Sequence, residues 1–423
     1  MDKELYFDIQ ECLRLRFRLR IEAVSTSTLF LNTKKILPLL FTLLLFNVCS
    51  CKQQDDSVFP GIYQTENYVP LLKDKSIAVV ANHSSYIGKT HLIDTLFSLG
   101  IKVEKVFAPE HGFKGTADAG ENIENTKTGN RNIEIVSLYG NNYKPKPEDL
   151  LGIEAVVFDL QDVGVRFFTY ISTLHYVMEA CAEQNIPVVL LDRPNPNAHY
   201  IDGPIREEKY KGMVAMHPVP IVYGLTIGEY AQMINGEGWL KDSLQCTLTV
   251  VAIKNYTHRT YYELPIAPSP NLPDMETVLI YPSTCLFEGT IMSEGRGTLL
   301  PFRVIGHPDF PDTTFSFVPH AIKGMSKYPK LKNEKCYGYD FRNISTDSLI
   351  NRTKIDLSQL IDAYKKMNIG ERFFISYFEN LVGTKELRKA LVKGKSEEEI
   401  YQSWQAGLDN YKKIRAKYLI YPD

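Results

Sequence analysis

The sequence predicts an α/β protein. A Rossmann-like, doubly wound parallel sheet domain occupies residues 58–205, and a second α+β domain with a helical end occupies residues 206–423, with an active-site cleft between them. Three observations carry this. Short, almost purely apolar runs recur from Ser76 onward, segments of helical periodicity separate them, and polar or charged side chains follow each run. Apolar runs of strand length alternating with helices indicate a parallel sheet covered on both faces.

In order, strands are expected at Ile77–Ala81, Val103–Phe107, Ile133–Leu138, Ala155–Phe158 and Pro187–Leu191, with helices at Thr90–Leu99 and Phe168–Glu183. Gly100 stops the first helix, as glycine does just past a helix end. The second half is less regular. A helix is expected at Thr226–Ile234, a strand at Thr247–Ile253, and then a rigid loop, Pro265-Ile266-Ala267-Pro268-Ser269-Pro270-Asn271-Leu272-Pro273. Near the end, Ser396 and Glu399 have capping-box spacing, and Ile400, Trp404, Leu408, Tyr411 and Ile414 form one apolar stripe.

The first 57 residues read as a leader. Lys34-Lys35 precede the apolar run Ile36–Val48, too short for a membrane-spanning helix but suited to a signal peptide. The run ends in Val48-Cys49-Ser50-Cys51, which resembles a bacterial lipobox. Cys51 is then the expected lipidated residue, Lys52–Ser57 a polar tether, and the cell envelope the expected location. Residues 1–33, upstream of the signal, are expected to reflect a misplaced start; N-terminal sequencing of the precursor checks this.

Composition narrows the function classes. The 48 basic and 50 acidic residues are interspersed and leave a net charge of −2, which argues against a nucleic-acid partner. No GxGxxG follows the first strand and no GxxxxGK[ST] occurs, so the phosphate cradles of both motifs are missing. A GxSxG nucleophile elbow is missing too. The cysteines form no CxxC pair, and His83 with His111 lacks diagnostic ligand spacing, so neither a metal nor another cofactor is expected.

The strand ends carry the chemistry. Asn82-His83-Ser84-Ser85 follows the first strand, Glu110-His111-Gly112 the second and Tyr139-Gly140 the third. Asp159-x-x-Asp162-x-Gly164-x-Arg166 follows the fourth, and Asp192-Arg193-Pro194-Asn195-Pro196 the fifth. A parallel sheet brings such ends to one edge, where ligands bind. Glu110 with Asp159 or Asp162 supplies the paired carboxylates that glycoside hydrolysis needs, and Arg166 and Arg193 offer planar forks for an anionic group. Each also has a plainer reading: Asp159 as a helix cap, Arg193 as the partner of Asp192, His111 as part of a turn. Farther on, Glu288-Gly289-Thr290 and Ser293-Glu294-Gly295-Arg296-Gly297-Thr298 form a polar, backbone-exposing loop.

These blocks, with Pro268-Ser269-Pro270-Asn271-Leu272-Pro273, together resemble the bacterial exo-β-N-acetylmuramidase family, long carried as a domain of unknown function. The resemblance spans about residues 77–305 in order. It implies release of N-acetylmuramic acid from the non-reducing ends of peptidoglycan fragments, MurNAc-GlcNAc saccharides, with Glu110 catalytic. The partner carboxylate is expected, in order of position, to be Asp162, Asp159 or Glu294. Asn82, His111, Arg166, Arg193, Asn195, Asn271, Glu294 and Arg296 are the expected substrate contacts, and an arginine clamp on the lactyl carboxylate is a sensible specificity device. The alternatives are a lipid-anchored sugar- or muropeptide-binding protein without catalysis, and a metal-dependent amidase or peptidase acting on the stem peptide.

Overall fold

The computed structural model describes residues 56–115, 126–127, 133–140 and 142–423. The leader, with Cys51, lies outside the described residues.

Six parallel strands form the main sheet: β1 (Ser76–Ala81), β2 (Lys102–Ala108), β4 (Glu134–Ser137), β5 (Ala155–Asp159), β6 (Val188–Leu191) and β7 (Leu248–Val251). The two-residue β3 (Thr126–Lys127) runs antiparallel at one edge, and the spatial order is β3-β4-β2-β1-β5-β6-β7. Counting the parallel strands alone, this is the Rossmann order, which reverses at β1. Pairing is continuous there, with Ile77 to Val80 facing Val103 to Phe107 on one side and Ile77 to Ala81 facing Ala155 to Asp159 on the other.

Side-chain alternation gives the sheet two apolar faces. Ile77, Val79, Ala81, Val157, Val189 and Leu191 pack with Tyr68 and Leu72 of α1 (Thr65–Leu72) and with Leu92 and Leu96 of α2 (Leu92–Ser98). Ala78, Val80, Val156, Phe158, Val188 and Leu190 join Ile171, Leu174, Val177 and Cys181 of α3 (Tyr170–Glu183) on the other face. That second core continues without a break through Leu225 and Tyr230 to Ile400, Trp404 and Leu408 of the last helix.

The boundary expected at residue 205 is therefore not a break in the fold. Strand β7 lies beyond it, yet pairs Val188 with Leu248 through Leu191 with Val251. Residues 57–423 form one compact unit. The reason is burial: without β7, the apolar edge of β6 would stand open.

Helix α4 (Ile227–Gly236) starts from Thr226, whose hydroxyl accepts from the Glu229 amide while Glu229 accepts from the Thr226 amide. Helix α5 (Met275–Thr284) runs into a tight 3-10 turn, Cys285–Gly289. A small antiparallel sheet follows: β8 (Val304–His307), β9 (Ser316–Phe317) and β10 (Cys336–Asp340), with β10 in the middle. The last helix, Glu397–Arg415, has the expected capping box at Ser396 and Glu399. It docks through Tyr411, whose hydroxyl donates to the Tyr223 carbonyl, and Arg415, which donates to the Gly224 carbonyl.

Candidate active site

A cavity of about 220 Å³ opens beyond the carboxyl end of β2. Glu110, His111, Tyr139 and Thr169 line it from the sheet side. Ser269 and Asn271 come from the proline-rich loop, Glu288, Arg296 and Phe302 from the glycine-rich loop, and Tyr377 from the C-terminal region.

Local conformation puts Glu110 there. His111 and Gly112 both adopt left-handed backbone angles, φ 68° and 72°, and turn the chain sharply one residue after Glu110. Glycine accepts this readily, whereas a histidine there stores strain that its surroundings must hold. The His111 ring does so, with Nε2 3.2 Å from Ser269 Oγ. The proline-rich loop is also held by His83, whose Nε2 lies 2.8 Å from the Ala267 carbonyl, and by Tyr170, whose hydroxyl donates to the Pro268 carbonyl.

The Glu110 carboxylate accepts from the Thr169 hydroxyl at 2.8 Å and from the phenol of Tyr139. Burial, together with the Glu110 charge, pushes the Tyr139 phenol well above its ordinary range, so it stays protonated and remains a donor. Glu288 is the second carboxylate of the cavity. Its Oε1 accepts from Arg296 Nη2 at 2.6 Å and from Arg296 Nε at 3.1 Å. Burial raises the Glu288 carboxyl above its ordinary value, against the pull of the Arg296 charge. The guanidinium also lies over the Phe302 ring, 5.1 Å from its centroid. Two buried polar atoms of cavity-lining residues have no hydrogen-bond partner among the described residues: Arg296 Nη1 and Asn271 Oδ1.

The other expected site residues are placed away from this cavity. Asp159, fully buried, is held by Arg193 through two bonds, Nε to Oδ1 at 2.7 Å and Nη2 to Oδ2 at 2.8 Å. Asp162, also buried, accepts from the Gly164 amide and the Tyr223 hydroxyl, and burial lifts its carboxyl to about 6. Arg166 has no solvent exposure. Its guanidinium donates to the carbonyls of Pro204, Val219, Leu381 and Val382, and burial lowers it to about 9. Asn82 donates to the Tyr170 hydroxyl, and Asn195 to the Leu225 carbonyl. Glu294 stands behind the cavity wall, 2.8 Å from Lys330 and 3.6 Å from Arg296.

The convergence expected of five strand ends is thus reduced to fewer, because the ends of β5 and β6 turn inward, where Arg193 takes both oxygens of Asp159. Of the expected residues, Glu110, His111, Asn271 and Arg296 meet in the cavity. Glu288 was legible as part of a charged glycine-rich loop, and Tyr139 as a residue after a strand. Thr169 and Tyr377 have no local signal, since a helix start and a distant turn bring them in. No group of three potential metal ligands occurs among the described residues.

Comparison with known proteins agrees with this architecture. A crystal structure of a DUF1343 family protein from Bacteroides fragilis NCTC 9343 is 44% identical, with a TM-score of 0.81 over 87% of this chain and 99% of that one. A second DUF1343 structure from the same strain is 25% identical, with a TM-score of 0.74 over 86% and 99% of the two chains. The peptidoglycan beta-N-acetylmuramidase NamZ of Bacillus subtilis (strain 168) is 35% identical over 386 residues, 84% of this chain and 89% of that protein. Residues 77–276 match the N-terminal part of the exo-beta-N-acetylmuramidase NamZ family and residues 279–421 its C-terminal part. The chain belongs to the NamZ family of exo-β-N-acetylmuramidases, a family of glycosidases.

Proposed function

We propose that this protein hydrolyses the glycosidic bond of a terminal N-acetylmuramic acid residue, releasing it from the non-reducing ends of peptidoglycan fragments during cell-wall turnover. The observation that carries the reading is the presence of Glu110 and Glu288 together in the lining of one cavity of about 220 Å³.

Glycoside hydrolysis needs one carboxyl group to move a proton at the leaving oxygen and a second to act on, or offset charge at, the sugar carbon. Glu110, half-buried and addressed by two hydroxyl donors, takes the proton-transfer role. Glu288, held by Arg296, is the facing carboxylate. The unpartnered Nη1 of Arg296 suits the lactyl carboxylate, which distinguishes muramic acid from glucosamine, and the unpartnered Oδ1 of Asn271 suits an amide or hydroxyl donor of the sugar. A chromogenic β-N-acetylmuramide tests the reading directly. Release of the chromophore by wild type and its loss in Glu110→Gln support it, while tight sugar binding without turnover by wild type would return it to a binding protein.

The leader supports a cell-envelope location. Lys34-Lys35, the apolar run Ile36–Val48 and the lipobox-like sequence ending at Cys51 make this a lipid-anchored protein with a membrane-facing tether. Absence of palmitate labelling in wild type would exclude the anchor, and labelling that persists in Cys51→Ser would exclude Cys51 as its site.

A further inference from the structure

Glu288 has to be held at the cavity wall by something other than its own turn. The 3-10 turn Cys285–Gly289 continues directly from α5; its Phe287 carbonyl accepts from the Thr290 amide and hydroxyl, and its Gly289 carbonyl from the Ile375 amide. Lys330, some forty residues away in sequence, adds a cationic donor that bridges three carbonyls of this turn and its exit. Its ammonium lies 2.9 Å from the Phe287 carbonyl, 3.4 Å from that of Glu288 and 3.1 Å from that of Thr290. A cation at the carbonyl end of a helical run is also favoured by the aligned peptide dipoles.

The fourth contact of that ammonium is an ion pair with Glu294 Oε2 at 2.8 Å. Glu294 is the competitor of Glu288 for Arg296, since its Oε1 stands 3.6 Å from Arg296 Nε. With Lys330 in place, the closer contact of Arg296, at 2.6 Å, goes to Glu288. Phe302 closes the arrangement. It adopts a left-handed backbone angle, φ 62°, donates its amide to the Glu294 carbonyl at 2.7 Å, and lies under the Arg296 guanidinium.

We propose that Lys330 is a positioning residue of the hydrolytic site: it clamps the turn that carries Glu288 and draws Glu294 aside, so that Arg296 stays on Glu288 with one nitrogen open to substrate. This rests on the muramidase reading and on Glu288 as the second carboxylate. Lys330 does not line the cavity and acts only through Glu288 and Arg296. The groups facing Glu288 are Arg296, Glu294 and Lys330, with Tyr281, Cys285 and Tyr377 packed nearby and Glu110 in the lining of the same cavity. Arg296 and Lys330 hold its carboxyl down against burial and Glu294.

Two variants and two readouts test this. In Lys330→Met, the Glu288 carboxyl, followed by ¹³C NMR titration, is expected to titrate at higher pH than in wild type, and kcat to fall about tenfold or more. In Lys330→Arg the charge remains but a planar fork cannot reach three converging carbonyls, so kcat is expected to fall while the Glu288 titration stays near wild type. A folded Lys330→Met protein with wild-type kcat and an unmoved Glu288 titration overturns the proposal. So does a lowered Tm with that titration unmoved, which is what a purely structural lysine gives. Absence of turnover in wild type counts against the muramidase reading alone, and the NMR titration still decides the role of Lys330.

Discussion

Glu110 and Asp159 stand at the ends of strands that flank β1 on either side, and both are acidic residues at the ligand-binding edge of one sheet. Their environments diverge completely. Glu110 is half-buried at a cavity wall, with two hydroxyl donors and open space before it. Asp159 is wholly buried, and both its oxygens are taken by one guanidinium. The same contrast separates two arginines. Arg296 lines the cavity with one nitrogen unpartnered there, whereas Arg166 is fully buried away from it and its two terminal nitrogens donate to four carbonyls that stitch residues 204, 219, 381 and 382 together. A charged side chain at a strand end belongs to a candidate site only where the fold leaves it bordering an open cavity.

The largest test of that contrast is Glu110→Gln. Replacing a proton-transferring carboxylate is expected to lower kcat on a chromogenic muramide by about 10²- to 10⁴-fold with little change in thermal unfolding. Equal activity in the variant would move the chemistry elsewhere. On the saturated side, Arg193→Met leaves Asp159 buried and unpaired. We expect a loss of about 3–5 kcal/mol in denaturant unfolding, from the uncompensated charge. A variant of wild-type stability would show that Asp159 is not held as described.

A buried histidine pair sharpens the saturated region further. His175 Nδ1 and His217 Nε2 are 3.0 Å apart, and burial brings His175 down to about 4 from its ordinary 6.5. Because its folded value is the lower one, its contribution is fully present above pH 6.5 and is lost as pH falls toward 4. By linkage this amounts to about 3 kcal/mol, and His175→Gln should lose correspondingly less stability between pH 7.5 and pH 4 in urea unfolding. Equal losses in both proteins would count against the shift.

The smallest effect expected is at Arg296. In Arg296→Met, KM for the muramide should rise about tenfold to a hundredfold, as for loss of a hydrogen bond between charged groups. Because Arg296 also holds Glu288, kcat should fall on any substrate, but the KM of the corresponding glucosaminide, which lacks the lactyl carboxylate, should be much less affected. If both substrates weaken alike, the lactyl group is not the partner of Arg296.

The parallel sheet, its strand ends and the candidate Glu110 were all legible in the sequence. Strand periodicity and the residue that follows each strand are local properties, and so are the capping boxes at Thr226 and Ser396. That Glu288, rather than Asp159 or Asp162, shares the cavity with Glu110 was not legible. Asp159 and Asp162 sit on the expected edge in sequence, but whether a carboxylate there meets solvent or a buried guanidinium depends on what a segment thirty or more residues away does. The same is true of β7, which extends the sheet past residue 205 because an apolar edge needed a cover.

By itself, then, the sequence determined the fold class, the edge of the sheet where ligands go and the acid beside it, since each follows from short-range patterning. The tertiary structure decided which charges remain available. It brought Glu288, Arg296 and Tyr377 into one cavity with Glu110 and buried Asp159, Asp162, Arg166 and Arg193 away from it. The physical reason is that a polar side chain is satisfied by geometry in space, and contacts across tens to hundreds of residues leave no periodic trace in the chain.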